Sequence, residues 1–309
     1  MKRVMTVTGE IAADALGVTM PHEHVFADIS RHSGNPDNLL NDTQLCIREL
    51  VPYKMAGGST LVDATTEDLG RNPIALRFIS EAAGVNIITT TGYYSERIYP
   101  PYVLEATAAE LAGRMIDEAR NGIGDTGIRP GIIGELGSAS GSVTTAEEKV
   151  LRAAACAQAE TSLAITLHSS YGRPGIRQLA VLKDAGASPE KVIVGHVDAE
   201  WHVDIREDME YYERILDGGA CVEFDTIGWQ DFCPEDERLR RILRLLEKGY
   251  APQILLSSDL CRRSFYRANG GRGYDYVLTC FIPLLLRSGV SQGVINTLLV
   301  ENPLRVLSY

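Results

Sequence analysis

Two histidines separated by one residue, His22 and His24, stand in the apolar stretch MPHEHVF. In a strand, residues i and i+2 leave the same face, so both imidazoles can converge on one ion. Alone the pair is weak evidence, because strand histidines more often serve structure than a metal. The chain has only six histidines, however, and His168 and His196 each close a short apolar run, LAITLH and VIVGH. Glu135 in GIIGEL and Asp259 in ILLSSD close two more. For any one of these residues a helix cap or loop hydrogen bond is the simpler explanation; for all six at equivalent positions that explanation is strained. Nitrogen and oxygen donors without a thiolate suit Zn2+, and also Mn2+, Co2+ or Fe2+, since this set discriminates poorly. Two such ions could share a hydroxide formed near neutral pH while one polarises a carbonyl or phosphoryl oxygen, which is hydrolytic chemistry.

Those six residues need elements that bring them to one place. Eight β-branched or apolar runs recur along the chain: 17–26, 60–65, 85–91, 131–136, 163–168, 192–196, 220–225 and 254–259. Amphipathic stretches such as Leu104 to Asn121 and Ala146 to Thr161 lie between them, with apolar residues at three- and four-residue spacing. Strands alternating with helices imply parallel crossovers, and eight such units favour a closed (β/α)8 TIM barrel over an open sheet. In such a barrel the C-terminal strand ends open onto one face, so all six candidate ligands point at one cavity. No GxGxxG follows the first strand and no GxxxxGK[ST] occurs, which removes the usual support for a nucleotide-binding open sheet. The GGRG at Gly270 to Gly273 reads as a turn. No linker or repeat divides residues 1–309, so one domain is the economical expectation. The closing segment, Tyr274 to Tyr309, reads as helical, with Asn302 and Pro303 marking a turn before a last helical turn, and is expected to close the barrel against the N-terminal strand.

Composition sets limits on partners. A net charge of −11 argues against nucleic acid or an anionic membrane, leaving a small-molecule substrate as the expected partner; the chain could also pair as a homodimer. The tracts EDMEYYE (Glu207 to Glu213) and PEDERLRR (Pro234 to Arg241) read as solvated helix faces. Six scattered cysteines with no CxxC pair suggest reduced thiols. The N-terminus lacks the apolar stretch of a secretory signal and no run approaches a membrane span, so a cytoplasmic protein is expected.

The motifs MPHEHVF, GELGS, LHSS, VGH, LLSSDLCRR, GGRGYDYVLTCFIPLL and ENP, spread over essentially the whole chain, resemble the phosphotriesterase family of the amidohydrolase superfamily. TTGYY, FDTIG and RANGGRGYDY bring it nearest to the bacterial homology-protein branch of that family. The resemblance implies a binuclear metal-dependent hydrolase, with His22, His24 and Asp259 on the more buried metal and His168 and His196 on the more exposed one. It also implies a bridging carboxylate. Many members use a carboxylated lysine there, but the fourth strand contains no lysine, and Glu135 takes the place as it does in the homology-protein branch. A glutamate supplies the carboxylate directly, with no carbon dioxide adduct to form first. Asp259 would accept a proton from the attacking hydroxide and deliver it to the leaving group.

The substrate pocket is less sharply marked. An aromatic after the third strand resembles the residue that orients substrate in lactonase members; Tyr94 fits that place slightly better than Tyr93. Lactonases of the family carry an arginine after the seventh strand, in a sequence like DRYG, whereas this chain reads Asp225, Thr226, Ile227, Gly228. Arg262 or Arg263 could clamp a carboxylate, sulfonate or phosphate at the mouth of the site, and Trp229 could line it. His32 and His202 fall outside the ligand pattern. The leading expectation is cleavage of a small carboxylic ester, lactone or amide, with phosphotriester hydrolysis second. A deaminase would need a different His and Glu arrangement. A ligand-binding barrel without turnover predicts a missing ligand or base, and none is missing.

Overall fold

The computed structural model describes residues 2–138, 141–170, 172–199 and 204–309. Eight parallel strands form the barrel: β1 (Val18–Glu23), β2 (Gly58–Asp63), β3 (Asn86–Ile88, continued by Thr90–Thr91), β4 (Ile132–Gly137), β5 (Ala164–His168), β6 (Val192–Gly195), β7 (Cys221–Phe224) and β8 (Ile254–Leu256). Each of the eight expected runs overlaps one of them, with β2 starting two residues earlier and β4 ending one residue later than expected. Strands β1, β2 and the first part of β3 pair in that order, and the second part of β3 continues through β4, β5, β6 and β7 to β8. The ends of strands β8 and β1 are joined by side-chain and backbone hydrogen bonds. The Ser257 hydroxyl donates to the His22 carbonyl oxygen at 2.8 Å, and the Asp259 amide donates to the same oxygen at 3.2 Å.

Alternation along the strands sorts their residues into two cores. Ile165, Leu167, Val192, Val194, Val222, Phe224, Ile254 and Leu256 face the surrounding helices. Val62, Ile88, Ile132, Ala164, Ile193, Cys221 and Leu255 face inward and fill the lower barrel with Val4, Leu16, Val306 and Leu307. The helices between the strands are α1 (Thr43–Met55), α2 (Pro73–Ala83), α3 (Ala108–Asn121), α4 (Thr145–Thr161), α5 (Gly175–Asp184), α6 (Ile205–Asp217) and α7 (Glu235–Glu247). Side-chain caps fix where several begin: Asp42 accepts from the Leu45 amide, Asn72 from the Ala75 amide, and Thr107 and Thr144 each form a reciprocal box with the glutamate three residues on. Among the described residues no helix is long and apolar enough to cross a membrane.

Two local expectations are corrected. The stretch from Leu104 to Asn121 is two helices, Pro101–Glu105 and α3, because the Thr107–Glu110 capping box starts a new helix. Asn302 and Pro303 do not mark a turn. A wider, π-type turn at Thr297–Glu301 leads directly into the helix Asn302–Leu307, so the chain stays helical through Pro303. The Asn302 amide is spent on the Ala251 and Ile254 carbonyls at 2.7 and 2.8 Å. The closing segment does reach the N-terminus: Arg3 and Tyr309 exchange two backbone hydrogen bonds at 3.0 and 3.1 Å, beside a hairpin, Arg3–Thr6 with Gly9–Ala12, that the sequence reading lacks.

The charged tracts on α6 and α7 are not simply solvated. Asp208, Arg238 and Arg241 are completely buried. Arg241 pairs with Asp208 and, at 2.6 Å, with Glu237; Arg238 pairs with Asp198 at 2.5 Å and Glu235 at 3.0 Å. Charge can be buried here because a partner on another element meets it, which a one-dimensional pattern of charges does not reveal.

Candidate metal centre

All six candidate ligands come together at the C-terminal mouth of the barrel. Glu135 sits in their middle. An extra residue in β4 relative to β5 shifts the register between Ile133 and Leu136, and Glu135 turns inward at that point. Gly134 makes this possible, because a Cβ there would lie 2.2 Å from the Thr166 carbonyl oxygen. One carboxylate oxygen of Glu135 lies 3.3 Å from His24 Nε2. The other lies 2.9 Å from His168 Nδ1, 3.4 Å from His22 Nε2 and 3.7 Å from His196 Nε2. Asp259 approaches His24 Nε2 at 3.4 Å and His22 Nε2 at 4.0 Å.

The donor atoms thus fall into two sets that meet at Glu135: His22, His24 and Asp259 on one side, His168 and His196 on the other. His22 is fully buried, and neither of its ring nitrogens makes a hydrogen bond. The facing nitrogens of His168 and His196 stand 2.8 Å apart. Orphaned nitrogens and two imidazole nitrogens crowded beside one carboxylate fit cation ligands better than an internal hydrogen-bond network. The triads His22–His24–Glu135 and Glu135–His168–His196 each bring their donor atoms within 4.8 Å of one another.

Charge supports the same fit. Burial works against ionisation of Glu135, yet His22, His168 and His196 hold its carboxyl well below the usual range. Burial also opposes a charge on His24, but Asp259 and Glu135 outweigh it and raise the imidazole to about 10. Asp259 is lowered although burial would raise it, because His24 and His196 favour the carboxylate. Two of the candidate ligands carry backbone strain: His196 and Asp259 adopt positive φ values of 55° and 44°.

The sequence reading missed the residues that aim the ligands. Glu23, between the two histidines, faces away from them and latches β8. It accepts hydrogen bonds from the Ser258 and Leu260 amides, both at 2.8 Å, and from the Ser257 and Ser258 hydroxyls. Asp225 takes the His196 backbone amide and stands 2.8 Å from His196 Nδ1, with its other oxygen 3.3 Å from His22 Nδ1. Asp63 orders Val25, Phe26 and Thr65, and the Thr65 hydroxyl lies 2.9 Å from His24 Nδ1. The available signal was position: Asp225 follows β7 just as His196 and Asp259 follow β6 and β8.

The expected pocket residues separate. Tyr94 is half-buried with its hydroxyl 3.1 Å from His168 Nε2, which also meets the Ser170 hydroxyl at 2.6 Å; Tyr93 is buried instead against Tyr99 and Tyr102. His32, on a short helical turn, places its ring edge-on to Tyr94 at 5.4 Å, whereas His202 lies outside the described residues. Trp229 is buried, donates from Nε1 to the Ser258 carbonyl at 2.9 Å and stacks on Phe232. Arg262 lies over the Trp229 ring at 4.5 Å, while Arg263 is exposed.

Residues 2–307 match the profile of the phosphotriesterase family. The chain is 36% identical to the phosphotriesterase homology protein of Escherichia coli (strain K12), over 94% of this chain and 97% of that one. The crystal structure of the E. coli homology protein, complexed with phosphate in its active site, superposes with a TM-score of 0.90 at 35% identity, covering 95% of this chain and 99% of the other. An N-acetyltaurine hydrolase of Dictyostelium discoideum is 29% identical over 99% and 98% of the two chains. A lactonase from Listeria monocytogenes has a TM-score of 0.90 at 26% identity, with 99% and 98% covered.

Proposed function

The chain belongs to the phosphotriesterase family, and from that premise we propose that it is a binuclear metal-dependent hydrolase cleaving a small carboxylic ester, lactone or amide. The observation that carries this reading is the placement of the Glu135 carboxylate between two sets of histidine nitrogens. His22, His24 and Asp259 would hold one cation, His168 and His196 the other, and Glu135 both. Zn2+ is the proposed metal, with Mn2+, Co2+ and Fe2+ as alternatives for the same donors. When bound, such cations supply an activated water and polarise the carbonyl oxygen of the substrate.

The chain's own groups do the rest. Asp259, held ionised by its histidine neighbours, takes the proton of the attacking water on a carboxylate oxygen. It delivers that proton to the leaving oxygen or nitrogen as the acyl bond breaks. Tyr94 stands at the open side, where His168 is the most exposed of the ligands, and its hydroxyl is placed to meet the substrate's polar edge. Hydrolysis of a phosphotriester is the second reading, supported by the family and by the phosphate-bound relative.

The test is a screen of metal-reconstituted protein against lactones, N-acyl amino acids, carboxylic esters and phosphotriesters, with Glu135→Ala as the blank. Turnover that needs two metal equivalents, and falls steeply in Asp259→Asn with metal content unchanged, is the expected result. Fewer than two equivalents at saturating Zn2+ or Mn2+ would refute the binuclear assignment. Full turnover in Asp259→Asn would refute the proton transfer.

A further inference from the structure

Buried or half-buried arginines such as Arg71, Arg238 and Arg241 meet a carboxylate, Glu118, Asp198 and Asp208 respectively, whereas Arg77 and Arg305 donate to backbone carbonyls. A different arrangement holds two others. Arg262 and Arg272 lie over the same pair of rings: Arg262 is 4.5 Å from the Trp229 ring and 5.6 Å from Phe265, and Arg272 is 5.4 and 3.9 Å from them. The Nε of each is buried without a hydrogen-bond partner, and among the described residues neither guanidinium has a carboxylate within ion-pair distance. Two like charges held on one aromatic platform repel each other, and leaving a buried donor unpaired is unfavourable. An arrangement of that kind is explained by an anion that joins both.

The platform borders the metal centre. The Trp229 indole and an Arg272 Nη both donate to the carbonyl oxygen of Ser258, the residue before Asp259, and Arg262 follows Asp259 by three positions. Arg272 reaches this place across Gly228 in the loop after β7. A Cβ on Gly228 would lie 2.4 Å from Arg272 Cδ and 2.7 Å from its Nε. The loop that carries an arginine in lactonases of the family thus has none here, and leaves a glycine gap through which an arginine from the next loop is presented.

Resting on the hydrolase reading, we propose that Arg262 and Arg272 together receive an anionic group of the substrate, remote from the bond that is cleaved, so that the enzyme acts on small acids bearing a carboxylate, sulfonate or phosphate. The guanidiniums bind this oxyanion by charge-assisted hydrogen bonds, which fixes the acyl carbon relative to Asp259 and the ligand set. The expected effect is on substrate choice and KM.

The experiment has two arms. In the first, 1-propanesulfonate, butyrate and propyl phosphate, none of which has a carboxylic ester or amide bond, are titrated calorimetrically into metal-loaded protein. At least one should bind saturably, and Arg262→Met, Arg272→Met and Gly228→Ala should each weaken it at least about tenfold with metal content unchanged. Gly228→Ala displaces Arg272 without removing a charge, which keeps the test open should Arg272→Met fold poorly. Binding that is the same in the variants, or binding of none of the three, would overturn the proposal. The second arm compares turnover of N-acetyl-β-alanine and 2-acetamidoethanesulfonate with that of N-acetyl-β-alaninamide. The acids should be preferred in the wild type and lose that preference through KM in the arginine variants; an unchanged preference overturns the proposal. The binding arm decides the anion site without turnover, so its failure is distinguishable from a failure of the hydrolase reading.

Discussion

Arg238 offers a quantitative test of how the barrel mouth is held. Its guanidinium is fully buried and has four partners: Asp198 at 2.5 Å, the Thr226 carbonyl at 2.6 Å, the Thr226 hydroxyl at 3.1 Å and Glu235 at 3.0 Å. Glu235 in turn accepts the Gly228 amide at 2.6 Å. Arg238→Met keeps most of the volume and removes every one of these bonds. Asp198, also buried, is then left with the Thr226 amide at 3.4 Å as its donor. Stranding a buried carboxylate in this way costs about 3–5 kcal/mol, against a total stability of about 5–15 kcal/mol. The thermal midpoint should fall by roughly 5–8 °C. Adding Asp198→Asn removes the stranded charge, so the double variant should regain about 1–3 kcal/mol relative to Arg238→Met alone. Thermal and denaturant unfolding of wild type, both single variants and the double, at constant metal occupancy, measure the cycle. A single-variant cost under about 1 kcal/mol, or a double variant no more stable than Arg238→Met, would falsify the argument that Arg238 compensates a buried charge.

Three further outcomes are expected. Asp225→Asn weakens the orientation of His196 and should lower metal affinity about 10- to 100-fold while the fold persists, measured by competition with a chromophoric chelator. Glu135→Gln removes the charge that both histidine sets face and should cost more affinity than Asp225→Asn, with fewer metal equivalents retained after gel filtration. Metal uptake by metal-free protein at pH 8 should release protons, because His24 is held near 10 by Asp259 and Glu135 against the opposing effect of burial; calorimetry in buffers of different ionisation enthalpy reads the number, and zero would contradict the charge pattern. The same raised pKa stabilises the metal-free protein fully below the unperturbed 6.5, and that contribution is lost as pH rises through about 10, so its melting temperature should decline across this window.

The barrel and the convergence of the candidate ligands were legible in the sequence because both follow short-range rules. Strand alternation placed His22 and His24 together, and apolar runs ending in polar residues located His168, His196 and Asp259. Arg272 was not legible. It lies ten residues beyond Arg262, in a GGRG segment read as a turn, and its place at the mouth depends on the missing side chain of Gly228 in a different loop. The buried Arg241–Asp208 and Arg238–Asp198 pairs were hidden for the same reason, since their partners are 33 and 40 residues apart. Arg262 and Trp229 were both expected at the site entrance, but what joins them is a cation stacked on an indole, and sequence spacing does not encode that.

A second tier of carboxylates explains why the ligands hold their geometry. Asp63 fixes Thr65, which meets His24; Asp225 fixes His196; Glu23 fixes the serines that precede Asp259. Three of the six candidate ligands are therefore aimed by acids that belong to different parts of the barrel, Asp63 in β2, Asp225 after β7 and Glu23 in β1. The arrangement is unfavourable by itself. Burial pushes the carboxyls of Glu23, Asp63 and Glu223 upward, and Asp225 adds to the effect on Glu223. Backbone amides and hydroxyls offset part of this at Glu23 and Asp63, whereas both oxygens of Glu223 are buried without a hydrogen bond. A cation held by the candidate ligands would relieve what the donors leave uncompensated. Metal binding and the stability of the upper barrel would then be two expressions of one electrostatic balance.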